Sequence, residues 1–246
     1  MPPDDQEAIL QRLTSSLDRS IQLRASAKAD TKAAQHRQTL RTWQAARLAR
    51  THADLLASPR FGRAAAFFLT DVYSDKDVSG RDEQVKQAVP AMSKFLSVSA
   101  LETVADVIEL DALSEDFDAA MVVALGAHIA AIDAAAYGRA YRTVDRRQDR
   151  ERQIFLIEHL GQSLNRLANL RFAGPALVLL RKPAQIAGFG DLLAFLERGY
   201  DSVHAMGSVE EFLTLVVSRE KRILEAVFAG DDSVLSEKAT AQTSQS

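Results

Sequence analysis

The chain has 246 residues, of which 47% are apolar, so it is long enough to bury one large hydrophobic core or two smaller ones. It contains no cysteine, which excludes disulfides, thiolate metal sites and cysteine nucleophiles. A net charge of −3 argues against bulk electrostatic attraction to nucleic acid, and we expect no nucleic-acid partner.

The first ten residues, MPPDDQEAIL, are acidic and polar. A secretion signal begins with basic residues and continues with an apolar run, so we expect none here. No stretch of the sequence reaches about 18 consecutive apolar residues, the shortest run that reads as a transmembrane helix. These features predict a bacterial-type cytoplasmic protein without a transmembrane segment.

Apolar residues recur at three- and four-residue spacing along most of the chain, which is typical of amphipathic helices, and no alternating strand pattern is visible. The first predicted helix covers about residues 5–33, with an apolar stripe formed by Leu10, Leu13, Leu17 and Ile21. Its second half fades into the polar segment ASAKADTKAAQ. We therefore expect this helix to protrude or to be loosely attached.

Further helices are predicted at about 36–57, 61–73 and 82–97. A capping box at Ser99–Glu102 and an N-cap at Ser114 indicate two more helix starts, and a second capping box at Ser208–Glu211 opens the last helix. The predicted fold is all-α, a single multi-helix bundle of about eight to ten helices. We divide the chain into an N-terminal amphipathic helix and polar linker (1–35), a helical domain (36–230) and a disordered tail (231–246).

Residues 67–73 read FFLTDVY. Together with RLARTHADLLASPRF, ETVADVIELDALSEDFD, RERQIFLIEHLG and FLERGYDSVHAM, they give a pattern that resembles the uncharacterised proteobacterial FFLEELY motif proteins over about residues 37–228. This chain has Thr70, Asp71 and Val72 where the family motif has Glu, Glu and Leu. The resemblance implies an all-helical fold and brings no known activity.

The FFLTDVY segment is the first candidate site. On a helix Phe67 and Asp71 share a face, and a carboxylate beside aromatic rings needs hydrogen bonds or a cation. Arg81 follows across a short loop and is placed to pair with Asp71. One interpretation is a structural helix–loop–helix clamp, and the other is a ligand or partner site. The candidate residues are Phe67, Phe68, Asp71, Tyr73, Asp77, Arg81 and Asp82.

Two patterns suggest metal sites, and both are incomplete. Residues 75–80 match the first six positions of an EF-hand loop, but Lys86 stands at the twelfth position, where a bidentate glutamate is required. The acidic residues between 102 and 118 lack the Glu-x-x-His pairs of helical di-metal proteins, so we interpret them as a solvated acidic face. His128, among small and apolar residues, is expected to be a buried core histidine. We predict no metal site, no cofactor and no catalytic residue.

The segment LRFAGPALVLLRKPAQIAGFGDLLAFL is strongly apolar and is interrupted by Arg171, Arg181 and Lys182. We favour a central helix pair of the core, and the alternatives are an apolar pocket or weak peripheral membrane contact through residues 170–196. Six arginines between residues 37 and 63 would form a basic face unless acids on neighbouring helices neutralise them.

The sequence leaves three hypotheses for function. The favoured one is a non-enzymatic interaction or regulatory protein, whose partner is another protein or a second copy of the chain. The second is a helical ligand-binding protein or enzyme with an apolar, lipid-like pocket formed by residues 170–206 with Asp71, Tyr73 and Arg81. The third is peripheral membrane association through residues 170–196.

Overall fold

The structure is a computed structural model that describes residues 3–67, 69, 79–169, 173–186, 190–207 and 209–239. Within these ranges the regular structure is helical, which confirms the all-α prediction. The α-helices, in chain order, are α1 (Pro3–Ala29), α2 (Thr31–Thr51), α3 (Ala53–Ala57), α4 (Gly62–Phe67), α5 (Ser79–Phe95), α6 (Val98–Leu125), α7 (Ala134–Val144), α8 (Arg147–Ala168), α9 (Ala173–Ile186), α10 (Gly190–Met206) and α11 (Val209–Phe228).

Helix α6 is the central element, and α1, α2, α7 and α8 pack around it. Ser97 caps its first turn by accepting a hydrogen bond from the Ala100 N–H. Ser99, where the capping box was predicted, is therefore the second residue of the helix and stands two positions after the cap. Ser114 is not a cap either, because its hydroxyl donates to the Leu110 carbonyl within the continuous helix. Gly126, at φ +51°, ends α6, since this left-handed conformation favours glycine.

The N-terminal helix packs along α6, which differs from the loose attachment that we expected. The predicted apolar stripe supplies the contact: Leu13 and Leu17 are fully buried, and Leu13 lies in a cluster with Leu101 and Ala105 of α6. The polar segment after it does not form a linker. Asp30 alone separates α1 from α2, and its carboxylate caps α2 by accepting from the N–H groups of Lys32 and Ala33.

The largest apolar cluster joins α2, α6, α7 and α11 to the segment after α11. Trp43 stacks on Tyr137 at a centroid distance of 4.3 Å, which joins α2 to α7. Val234 and Leu235 are buried in the same cluster, so the packed chain extends into the region that we expected to be a disordered tail. Arg142 of α7 holds this segment through two hydrogen bonds to Asp232.

A second apolar cluster joins α3, α4, α10 and α11. Phe61 packs against Phe212 with ring centroids 5.8 Å apart. Phe67, at the end of α4, packs against Gly199 of α10. A Cβ at position 199 would lie only 3.2 Å from the Phe67 ring, so glycine allows this close approach. Within the described ranges, no helix combines the length and apolarity that crossing a membrane requires.

Candidate functional site

The carboxylates in the middle of α6 are bound by arginines, so the interpretation as a solvated acidic face is wrong. Asp106, Glu115 and Asp118 are at most 6% exposed. Buried carboxylates need compensating charges and hydrogen bonds, and here the arginines come from α1, α2, α8 and the residue before α8. The bound carboxylates are Asp106, Glu109, Asp111, Glu115, Asp116 and Asp118.

Glu115 is the centre of this network. It accepts hydrogen bonds from three guanidinium groups: Arg24 at 3.2 Å, Arg37 at 2.5 Å and Arg41 at 2.5 Å. Arg24 also binds Asp111, and Arg41 also binds Asp118. Because three guanidiniums face three carboxylates, the cluster is balanced in charge and joins α1, α2 and α6.

Most of the arginines between residues 37 and 63 are therefore not a basic face. Besides Arg37 and Arg41, Arg47 binds both carboxylate oxygens of Glu220, at 2.8 and 2.9 Å, and Arg60 binds Glu211. Carboxylates of other helices neutralise them, as the sequence analysis allowed. The expectation that nucleic acid is not a partner agrees with this pairing but is not tested by it.

Glu220 forms a second buried polar cluster, between α11 and α2. It lies 3.0 Å from His52 Nε2 and binds Arg47. Burial by itself raises the pKa of Glu220, but the positive charge of Arg47 and the hydrogen bond with His52 outweigh it and lower this pKa to about 2. The glutamate is therefore ionised throughout the physiological pH range, and it holds α2 to α11.

An open groove of about 370 Å³ lies between α1, α6 and α8. His159 of α8 lines this groove and is held by Asp106, since its Nδ1 lies 2.6 Å from Asp106 Oδ2. Phe155, one turn earlier, is 51% exposed and stacks on the His159 ring. The described lining residues are Ala8, Ile9, Arg12, Glu102, Asp106, Arg152, Phe155 and His159.

Two arginines flank this groove, and carboxylates of α6 already bind both. Arg12 donates to Asp106 and Glu109, each at 2.6 Å, and Arg152 donates to both oxygens of Glu109 at 2.7 and 2.8 Å. Burial raises the pKa of Glu109, but hydrogen bonds from Arg152 and Arg12 lower it below its ordinary value. Glu102 differs from these carboxylates, because it has no hydrogen-bond or ion-pair partner among the described residues.

A histidine held by a carboxylate is the arrangement by which enzymes orient a general base. A carboxylate oxygen can only accept, so the hydrogen bond to Asp106 uses the Nδ1–H of His159 and leaves Nε2 as the ring nitrogen away from Asp106. The described residues that line the groove include no hydroxyl or thiol that such a base would activate. Asp106 is also shared with Arg12, so the pair braces α8 against α6 and α1.

Helix α9 presents a different surface. It contacts α10 at two places: Arg181 binds Glu197 at 2.7 Å, and a Cβ on Gly174 would come within 3.0 Å of the Tyr200 hydroxyl. The helix also exposes Val178 by 54% and Leu179 by 78%. The interpretation of this segment as a core helix pair is therefore wrong for these two residues, which form an exposed apolar edge.

The candidate residues predicted from the sequence fall into three groups. Phe67 is buried, and its place against Gly199 is a packing role. Arg181 is paired with Glu197, whereas Lys182 is exposed beside Leu179. The others lie outside the described residues, wholly or in their side chains: Phe68, Asp71, Tyr73, Asp77, Arg81, Asp82 and Arg171.

The groove was not predicted from the sequence, and one histidine does not lie where we expected it. His128 is exposed in the turn after α6, so the expected buried core histidine is not there. A local signal for the groove exists in Arg152, Phe155 and His159, whose spacing of three and four residues places them on one face of α8. Among the described residues, no three acidic or histidine side chains are arranged to hold a metal ion.

The protein is thus a helical bundle braced by buried arginine–carboxylate pairs, with an open groove of mixed polar and apolar lining and an exposed apolar helix edge. The chain belongs to a family described as a domain of unknown function (DUF8198), whose profile matches residues 23–234. The match begins inside α1 and includes α2 to α11. No curated protein and no solved structure matches the chain.

Proposed function

We propose that this protein is a non-enzymatic interaction protein, which contacts a protein partner through the exposed edge of α9. The observation that carries the proposal is the exposure of Val178 and Leu179 on a helix that packs against α10. Adjacent large apolar side chains on a rigid helix suit the packing of an amphipathic partner helix.

The positive charge of Lys182 beside this edge indicates that a negatively charged residue flanks the apolar face of the partner. Lys182 is exposed next to Leu179 and has no described partner, whereas Arg181 is bound by Glu197. A partner helix with apolar residues and a neighbouring carboxylate matches this combination. The family match is to an uncharacterised domain, so the likeness of residues 67–73 to FFLEELY motif proteins stays a prediction, as does the cytoplasmic location.

Membrane association through the same segment is the competing hypothesis. Near an anionic surface each basic residue contributes about 1 kcal/mol, and Arg181 would first have to leave Glu197. Interfacial helices also use a broad apolar face rich in aromatic and leucine residues. Among the described side chains of α9, two exposed apolar residues and one cation without a described partner favour a protein partner.

A site-specific photo-crosslinking experiment in the native host tests the proposal. A benzophenone amino acid at position 179 is expected to give one adduct of defined mass, and Val178→Asp should abolish it, since a charge prevents desolvation of the edge. Burial of Val178 or Leu179 in an interface is worth about 1.5–3 kcal/mol, so Leu179→Asp should weaken a purified complex at least about tenfold.

The matched control is Val123, which is 82% exposed on α6 and distant in sequence. A crosslinker at position 123 should give no defined adduct, and Val123→Asp should leave the complex intact. An adduct of twice the chain mass identifies the partner as a second copy. Absence of a defined adduct at 179, combined with binding to anionic vesicles that Arg181→Glu with Lys182→Glu abolishes, would replace the proposal by the membrane hypothesis.

A further inference from the structure

We infer that the groove between α1, α6 and α8 is a second docking site, which takes an arginine or lysine side chain of a protein partner. This site is separate from the edge of α9, because no α9 residue is among its described lining residues. The inference therefore does not depend on the proposal for α9.

The charge of the groove selects a cation. Arg12 and Arg152 are both engaged by Asp106 and Glu109, so these two guanidiniums and two carboxylates compensate each other. Glu102 remains as a half-buried carboxylate without a described partner. A bound cation would complete the pairing of charges in the groove.

The apolar lining selects a long side chain over a bare ion. Ile9 and Phe155 line the groove together with Glu102, and Phe155 is half exposed. Arginine and lysine have an apolar stem that covers such surfaces while the charged head reaches a carboxylate. The groove is open, which suits a side chain that enters from the surface of another protein.

The groove is also preorganised. Asp106 holds His159 and Arg12, His159 stacks on Phe155, and the Arg152 guanidinium lies 5.0 Å from the Phe155 ring centroid. These contacts fix the wall around Glu102 before any partner arrives, and a fixed site loses less conformational entropy when it binds. Residues of the hydrogen-bonded network thus act as positioning residues, and Glu102 and Phe155 make the contact.

Short peptides test this inference with the full chain. The probe is an acetylated and amidated Ala-Arg-Ala, compared with the same peptide containing citrulline, which has the shape of arginine but no charge. Binding is followed by two-dimensional amide NMR. We expect the arginine peptide to bind roughly three- to tenfold more tightly than the citrulline peptide, with shifts around Glu102, Phe155 and His159.

Two variants and one small amine make the test decisive. Glu102→Gln should remove the preference for arginine over citrulline, while Glu158→Gln, which removes the same charge outside the groove lining, should keep it. Phe155→Ala should weaken both peptides. A preference that survives Glu102→Gln, or shifts located elsewhere, would overturn the inference. Tighter binding of agmatine than of the arginine peptide would overturn it too, because the groove would then take a small amine.

Discussion

Replacing Glu115 by alanine is expected to lower the free energy of unfolding by about 3–5 kcal/mol. Glu115 is 4% exposed and accepts from Arg24, Arg37 and Arg41. Its loss removes one negative charge from a cluster in which three guanidiniums and three carboxylates balance, and leaves Asp111 and Asp118 as the described carboxylates of that cluster. Urea denaturation at neutral pH, followed by circular dichroism, measures this cost.

A matched control for this substitution is Glu225→Ala. Glu225 also pairs with an arginine, Arg147, but the two side chains are 62% and 42% exposed. Solvent screens such a pair, so its loss should cost only a small fraction of what the loss of Glu115 costs. Equal effects of the two substitutions would show that the network around Glu115 does not carry the packing of α1 and α2 on α6.

The contrast between these two glutamates explains what the sequence can and cannot predict. The helical period correctly identified the buried stripe of α1, because Leu13 and Leu17 are placed by local spacing alone. The burial of Glu115 has no local signal, since its partners lie 74 to 91 positions away in the chain. From sequence alone, a run of acidic residues indicates a solvated face, and the arginines that pair with it are visible only in the folded structure.

The helix starts predicted at Ser99 and Ser114 are wrong for a related reason. Ser99 and Ser114 each precede acidic residues, as caps do, but α6 begins at Val98 and continues through both. Packing of α6 against four other helices stabilises a helix longer than its local signals suggest. Ser97 shows how precisely a local signal locates a helix start, because it caps the helix only two positions from the serine that the capping-box pattern selects.

The exposed edge of α9 and the groove are departures from the expected segregation of apolar and polar residues. Val178 and Leu179 stand in a run that reads as core, and Glu102 stands in a row of acids that the fold otherwise pairs. Sequence patterns cannot separate these residues from their neighbours, because the difference arises only when other helices cover some positions and leave others open. Residues that depart from a consistent pattern are expected at functional sites.

Acid is expected to remove the contribution of Glu220 to stability. The pKa of this carboxyl is about 2 in the folded protein, against an ordinary 4.5, because Arg47 and His52 outweigh the effect of burial. A carboxyl with a lowered pKa stabilises the folded state above its unfolded pKa. That contribution, up to about 3 kcal/mol, is lost as the pH falls from 4.5 toward 2.

Glu220→Gln isolates this effect, because glutamine does not titrate. The difference in unfolding free energy between the parent protein and the variant should be constant above pH 4.5 and shrink as the pH falls toward 2. Glu237→Gln is the control, since Glu237 pairs with Arg222 on the surface and both side chains are about half exposed. Parallel pH curves for the parent and Glu220→Gln would mean that the ion pair of Glu220 with Arg47 does not hold α11 to α2. A shrinking difference, absent in the control, would place the acid sensitivity of the fold at this buried cluster.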